Sequence, residues 1–295
     1  MQTCLIFNPS ARGQKAEAFC NQLDSLYPKC VVRRTTAPGQ ARQLAAQAVQ
    51  EGFATIIAAG GDGTANEVVN GIADVPHGLT SVRLGLVPLG TINVFARELG
   101  LPRDPVGAAR TLAGGSEMAV DLGLVEFGAT GRTERRHFLQ LAGAGLDARA
   151  VELVSWELKK KAGPLAYIAA GLKAMREEQP VIKVEGGRTV SGHLVLLGNG
   201  RYYGGSFEFF PKASLRDGLL DVCVLPKVSM WQGLKTLLGI ATGQALRFWP
   251  RQHFRAPSIT LSSPSRVGLQ LDGEFAGDLP ARFSVLPQAL RVIVP

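Results

Sequence analysis

The segment Thr55-Ile56-Ile57-Ala58-Ala59-Gly60-Gly61-Asp62-Gly63-Thr64-Ala65-Asn66-Glu67 constrains the fold more than any other part of the chain. An unbroken apolar run stops at Gly60, Gly61 and Gly63, and Ala65, Val68, Val69 and Ile72 then recur at helical spacing. A strand without polar alternation is buried, as in a parallel sheet with helices on both faces. The glycines allow positive φ and close backbone approach, so consecutive N–H groups can converge on phosphate oxygens. The N-terminus of the following helix adds a favourable partial charge. Thr64 and Glu67 also have the spacing of a capping box, which would give them a structural part. A tight strand-to-helix turn would by itself account for the glycines, but it leaves Asp62 without a role. A carboxylate inside a phosphate cradle repels the ligand unless it binds Mg²⁺, holds the loop or handles a substrate proton.

The surrounding sequence repeats the same strand-to-helix rhythm. Thr3 to Phe7 reads as a buried strand ended by Asn8-Pro9, and Gln14 to Leu26 follows with helical spacing. Val31 to Thr35 predicts a second strand, Ala41 to Gln50 a helix stopped by Gly52, and Val82 to Val87 a strand running into Pro88-Leu89-Gly90-Thr91. This order predicts a doubly wound, mostly parallel α/β domain with its ligand at the carboxyl ends of the strands. After about Gly123 shorter runs take over: His193 to Leu197, Leu219 to Leu225, Ser258 to Leu261 and Arg266 to Leu271. They predict a second, antiparallel β-rich domain, interrupted by one helical stretch from Val151 to Met175. The expected boundaries are 1–124 with 287–295 for the α/β domain and 125–286 for the β-rich one.

A length of 295 residues fits two domains, and 46% hydrophobic residues can fill two cores. Lys and Arg exceed Asp and Glu by 32 − 24 = 8, which suits a nucleotide polyphosphate or an anionic membrane surface. The basic residues are scattered, with no aromatic-basic platform, so nucleic acid is not expected as a partner. Cys4, Cys20, Cys30 and Cys223 have no metal-binding spacing and read as reduced thiols of a cytoplasmic protein. Nothing at the start reads as a signal peptide, and no run approaches the ~20 apolar residues that span a bilayer. His77, His137, His193 and His253 form no metal motif, and no GxSxG element points to a hydrolase.

The glycine turn has neither the lysine of a Walker A loop nor the order of a dinucleotide fingerprint. At Gly60-Gly61-Asp62-Gly63-Thr64 the chain resembles the diacylglycerol kinase catalytic family, with its sphingosine-kinase relatives and, more distantly, NAD kinases. Asn8-Pro9, the Thr35 to Ala41 segment and Pro88-Leu89-Gly90-Thr91-Ile92-Asn93-Val94-Phe95-Ala96-Arg97 resemble further elements of that family. So do Phe138 to Asp147, Lys161 to Tyr167, Asn199 to Gly205, Pro211 to Asp221 and Asp272-Gly273-Glu274. The matches keep the family's order from residue 5 to 275.

The resemblance implies an ATP- and Mg²⁺-dependent lipid kinase with its active site between the two domains. It assigns nucleotide contacts to Asn8, Thr35, Gly60, Gly61, Asp62, Gly63, Thr64, Ala65, Asn66, Glu67, Gly90, Thr91, Asn93 and Asp121. Asn93 would hold the two glycine turns together, and Asp62 or Asp121 would reach the metal–nucleotide complex. A structural Mg²⁺ would bind Asp217 with the carbonyls of Ser214 and Leu219. Glu274 is the implied base for the lipid hydroxyl, with Asp62 and Asp272 as alternatives. Val228 to Pro250 mixes Trp231, Trp249 and leucines with Lys235 and Arg247, which suits peripheral contact with an anionic membrane. A helix covering the β-rich domain would account for it equally. The lipid is not specified, and a homodimer stays open. An NAD-kinase-like or other small-molecule kinase, or a non-catalytic nucleotide or lipid sensor, are the rival classes.

Overall fold

The computed structural model describes residues 2–10, 14–128, 133–154, 164–227, 229 and 251–295. The N-terminal part alternates β1 (Thr3–Phe7), α1 (Gln14–Leu26), β2 (Cys30–Arg34), α2 (Gln40–Gln50), β3 (Thr55–Gly60), α3 (Asp62–Ala73), α4 (Gly78–Ser81) and β4 (Arg83–Pro88). Two further helices, α5 (Val94–Glu98) and α6 (Pro105–Gly114), follow. The strands lie parallel in the order β2-β1-β3-β4. The apolar runs of β1, β3 and β4 have no polar face because both faces are covered, whereas β2 at the edge is part-exposed. Ile6, Ile56, Ala58, Leu84 and Leu86 pack with Ala41 and Ala45 of α2 and Val68 and Ile72 of α3. Leu5, Phe7, Ile57, Ala59 and Val87 pack with Phe19 and Leu23 of α1 and Ala108 of α6. Alternate residues of each strand thus serve opposite layers.

The same sheet continues into the second half through two long strands, β5 (Ser116–Phe127) and β18 (Ala281–Val294), which pair antiparallel along their length. The end of β18 runs parallel to β4, with Arg291 opposite Arg83, so the last residues return to the α/β layer. Val120 and Leu122 of β5, with Leu290 and Val292 of β18, enter the first core. Val125 and Phe127, with Ala281 and Phe283, enter a second one. That second core fills a sandwich. One layer comprises the outer parts of β5 and β18 with β6 (Glu134–Phe138), β8 (Ile182–Gly186), β9 (Arg188–Gly192) and β15 (Ser258–Ser262). The other is an antiparallel sheet, in the order β14 (Gln252–Ala256), β13 (Leu220–Leu225), β10 (Leu194–Gly198), β7 (Leu141–Gly145), β16 (Gly268–Leu271) and β17 (Glu274–Asp278). A short hairpin of β11 (Tyr202–Tyr203) and β12 (Phe207–Glu208) stands apart.

The mixed α/β layer followed by an antiparallel β-rich part is the fold class expected from the sequence. Two local expectations need correction. The helical stretch is not a single Val151-to-Met175 segment: α7 (Leu146–Leu153) begins earlier and stops before Val154, whose backbone is extended, and α8 (Pro164–Ala174) is separate. The glycine segment is also not a loop before a helix, because α3 already starts at Asp62 with Gly61 as its N-cap. Lys161 and the Val228 to Pro250 segment lie outside the described residues, apart from Ser229 in the latter.

Candidate active site

The carboxyl ends of the parallel strands bring the first group of residues together. Asn8 N–H donates to Ala59 O at 3.0 Å, setting Asn8 beside the end of β3, and Thr35 N–H donates to Phe7 O at 2.9 Å, setting Thr35 beside the end of β1. Asn8 Nδ2 donates to Thr64 Oγ1 at 3.0 Å. The amides of Leu89 and Gly90 reach Gly60 O at 2.9 and 3.3 Å, so the turns after β3 and β4 abut.

The glycines are needed for closeness, not for unusual backbone. None of Gly60, Gly61 and Gly63 has positive φ. A Cβ on Gly60 would lie 2.4 Å from Thr64 Oγ1, and one on Gly90 would lie 2.6 Å from Gly61 Cα. A Cβ on Gly63 would lie 2.6 Å from Glu274 Oε1. The DGE carboxylate, drawn from the far end of the chain, therefore rests on the first turn of α3. In that turn the amides of Asp62, Gly63 and Thr64 have no intrahelical acceptor, the usual state of a helix start. This is an anion-binding geometry with a carboxylate at its edge. It fits a nucleotide's phosphates.

Several other residues have a different place from the one their motif implies. Ala65 is buried in the first core and its N–H donates to Gly61 O at 3.1 Å, so it presents nothing to a ligand. Glu67 makes no capping box: its carboxylate accepts from Gly39 N at 2.9 Å and Ala41 N at 3.0 Å, capping α2 instead. Asn66 Nδ2 donates to Asp272 Oδ2 at 2.8 Å and His137 O at 3.0 Å, turning it away from the nucleotide side and toward the second half. The Asn93 side chain does not join the two turns. Its φ of 53° and its bonds with Gly90 N (3.0 Å) and Gly90 O (2.7 Å) close its own turn. Asp62 makes that connection, with Oδ1 accepting from Phe95 N at 3.3 Å at the start of α5. Burial pushes the Asp62 carboxyl up, while the amides of Val94, Phe95 and Asn93 pull it down.

Asp272 and Asp121 are anchors. Asp272 sits at φ 49° in the two-residue turn between β16 and β17, followed by Gly273 at φ 85°, as tight hairpins require. Its carboxylate accepts from Leu139 N, Gln140 N and Leu141 N at 2.8, 2.9 and 3.0 Å, besides Asn66. With its lone pairs so occupied it is not a base. Asp121 is 1% exposed, inside β5, and accepts from Gly218 N at 2.6 Å and Gln288 N at 2.8 Å. It holds the 211–221 segment to β18 and is closed off from any nucleotide.

The metal expected at Ser214, Asp217 and Leu219 does not suit the side chains found there. Asp217 Oδ1 accepts from Leu219 N at 3.1 Å, and Oδ2 is ion-paired with Arg255. Arg255 Nε also reaches the buried Asp221 at 3.0 Å. A guanidinium thus already neutralises the carboxylate, and among the described residues no cluster of His, Cys, Asp and Glu has metal-binding geometry.

Sequence reasoning missed Asn70 and Gln140. Asn70 Nδ2 donates to Asn66 Oδ1 and His137 O, while its Oδ1 accepts from His137 N at 2.8 Å. An amide on the apolar face of a helix is the one signal that could have flagged it. Gln140, 3% exposed, donates to Glu98 Oε2 at 2.9 Å, and Glu98 also binds Arg201.

Comparison with known proteins agrees with the fold. Residues 2–125 match the diacylglycerol kinase catalytic domain, and residues 140–294 match the YegS C-terminal NAD kinase beta sandwich-like domain. A Pseudomonas aeruginosa protein named "Probable lipid kinase YegS-like" is 36% identical over 90% of this chain and 84% of its own. A diacylglycerol kinase of Bacillus subtilis is 32% identical over 88% and 84%. A Bacillus anthracis structure described as a "putative diacylglycerol kinase" superposes with a TM-score of 0.79 at 25% identity, covering 100% of this chain and 95% of that one. Yeast NADH kinase, at a TM-score of 0.54 and 12% identity, shares the fold. The chain belongs to the diacylglycerol kinase family.

Proposed function

We propose that this kinase transfers the γ-phosphate of ATP to a hydroxyl of a membrane lipid such as diacylglycerol. The observation that carries the reading is the Glu274 carboxylate lying against Gly63 in the first turn of α3. The amides there hold the phosphate oxygens, and Thr64, tied to Asn8, closes the cradle. Thr91, exposed on the neighbouring turn, lines the same edge. Phosphoryl transfer needs mainly positioning, neutralisation of charge and a proton acceptor. Glu274 accepts the proton of the attacking hydroxyl. Asp62 keeps the second glycine turn against the first. Mg²⁺ supplies charge neutralisation on the polyphosphate when it is bound.

Residues 1–124 with 287–295 hold the nucleotide in this reading, and 125–286 meet the lipid. Ile92 and Phe275, 41% and 37% exposed, directly follow Thr91 and Glu274 and offer apolar surface to an acyl-bearing acceptor. The net charge of +8 favours peripheral contact with an anionic cytoplasmic leaflet. Among the described residues no helix is long and apolar enough to cross a membrane. The relatives named as diacylglycerol kinases support the choice of acceptor.

The test is Glu274→Gln. It should lower the single-turnover rate by roughly 10²- to 10⁴-fold, the usual weight of a general base, while ATP affinity by calorimetry stays unchanged. A normal rate in this variant, with Asp62→Asn losing only the chemical step, would move the base into the glycine turn.

A further inference from the structure

The turn that carries Glu274 is held on a second side by buried polar groups outside the mechanism above. Gln270 is 1% exposed. Its Nε2 donates to Asp147 Oδ2 at 2.7 Å, and its Oε1 accepts from Gly273 N at 2.8 Å. Asp147 in turn accepts from the Tyr203 hydroxyl at Oδ1. Gly143 on the neighbouring strand makes room for the pair: a Cβ there would lie 2.4 Å from Asp147 Oδ2 and 2.9 Å from Gln270 Nε2. Burial pushes the Asp147 carboxyl up, and the bonds from Tyr203 and Gln270 oppose that push.

A bare Asp-Gly hairpin needs no buried side-chain clamp to form. Filling this space with an apolar residue would avoid burying an amide and a carboxylate, whose bonds only offset their desolvation. The ladder also shifts register between Leu269 and Gln270, so strand pairing alone fixes the tip less firmly. Tyr203 belongs to the β11–β12 hairpin, where a Cβ on Gly205 would lie 3.5 Å from Ile92 Cγ2 on the β4–α5 turn. Hydrogen bonds therefore run from a hairpin beside the second glycine turn to the amide of Gly273, the residue before Glu274.

We infer that Gln270 is a positioning residue for Glu274, and that Asp147 and Tyr203 hold it so that the β11–β12 hairpin and the base are coupled. The inference rests on reading Glu274 as the base. Gln270 fixes the Gly273 peptide, which sets where the Glu274 carboxylate lies over Gly63. Without that bond the turn tilts, and a displacement of about 1 Å at a reacting group costs on the order of 10²-fold in rate.

The experiment is a double-mutant cycle. Gln270→Met removes both bonds at similar volume, and Tyr203→Phe removes only a hydroxyl at a half-buried position. Each is made alone and on Glu274→Gln, and kcat, ATP affinity and Tm are measured. Gln270→Met alone should lower kcat roughly 10- to 100-fold with ATP affinity unchanged, and Tyr203→Phe should move it the same way by less. On Glu274→Gln both effects should vanish, since no carboxylate remains to be positioned. An equal loss in both backgrounds, or full kcat in Gln270→Met, would overturn the inference. If Gln270→Met does not fold, the Tyr203→Phe cycle decides by the same criterion. Full turnover by Glu274→Gln alone would instead remove the base reading itself, and the coupling with it.

Discussion

Spacing alone makes Asp272 as good a base as Glu274, two residues away; its surroundings do not. Three backbone amides and Asn66 converge on the Asp272 carboxylate, whereas Glu274 reaches out over Gly63. Asp272→Asn should therefore act as a structural change. Its amide nitrogen would face donors in place of an acceptor, costing about 1–3 kcal/mol. Thermal unfolding should show a lowered Tm together with slower turnover; an unchanged Tm with lost chemistry would restore Asp272 as a base. The sequence could not have separated these roles. The motif gives residue types, but apart from the Asn66–Asp272 bond the partners of Asp272 and Asp121 are main-chain groups from distant segments, and main-chain groups leave no mark in the sequence. Asn8, Thr35, Gly60 to Thr64 and Gly90 were legible because they end consecutive parallel strands, and that geometry follows from hydrophobic runs.

At the scale of elements, the two glycine turns meet backbone to backbone. A Cβ on Gly90 would press to 2.6 Å of Gly61 Cα, while one on Gly61 would sit at an ordinary 3.4 Å from Gly90 Cα. Gly90→Ala should thus weaken nucleotide affinity far more than Gly61→Ala, as calorimetry with ATP would reveal; equal effects would mean the abutting turns do not shape the cradle. The 211–221 segment carries its own cation in Arg255, which bridges Asp217 and the fully buried Asp221. Arg255→Gln should cost on the order of 3 kcal/mol, because it strips the guanidinium from a buried carboxylate and leaves it only His253 at 2.9 Å. A chelator should leave the wild-type Tm unchanged, and a fall in Tm on adding it would reinstate a structural metal there. The start of α3 was misread from sequence because glycines signal loops. Here they serve the close packing of a helix's first turn, which Glu274 completes.

For the molecule as a whole, α3 is fastened to the second half through Asn66, Asn70 and the His137 peptide, so the glycine cradle and the DGE hairpin share one frame. That junction has a pH signature. Burial lowers the His137 pKa from 6.5 to about 4. Between those values the unfolded chain holds a proton that the folded chain refuses, so this residue's contribution to stability falls as pH drops from 6.5 to about 4. His137→Gln keeps the backbone bonds and should flatten the Tm profile across that window; an unaltered profile would place the titration elsewhere. The measurement that bears most directly on the function is turnover of labelled ATP with a total lipid extract, and with NAD as the competing acceptor, followed by mass spectrometry of the products. Wild type should phosphorylate a hydroxyl-bearing lipid and leave NAD untouched, with Glu274→Gln losing the lipid product. Phosphorylated NAD, or no phosphorylated lipid from the wild type, would contradict the lipid-kinase reading.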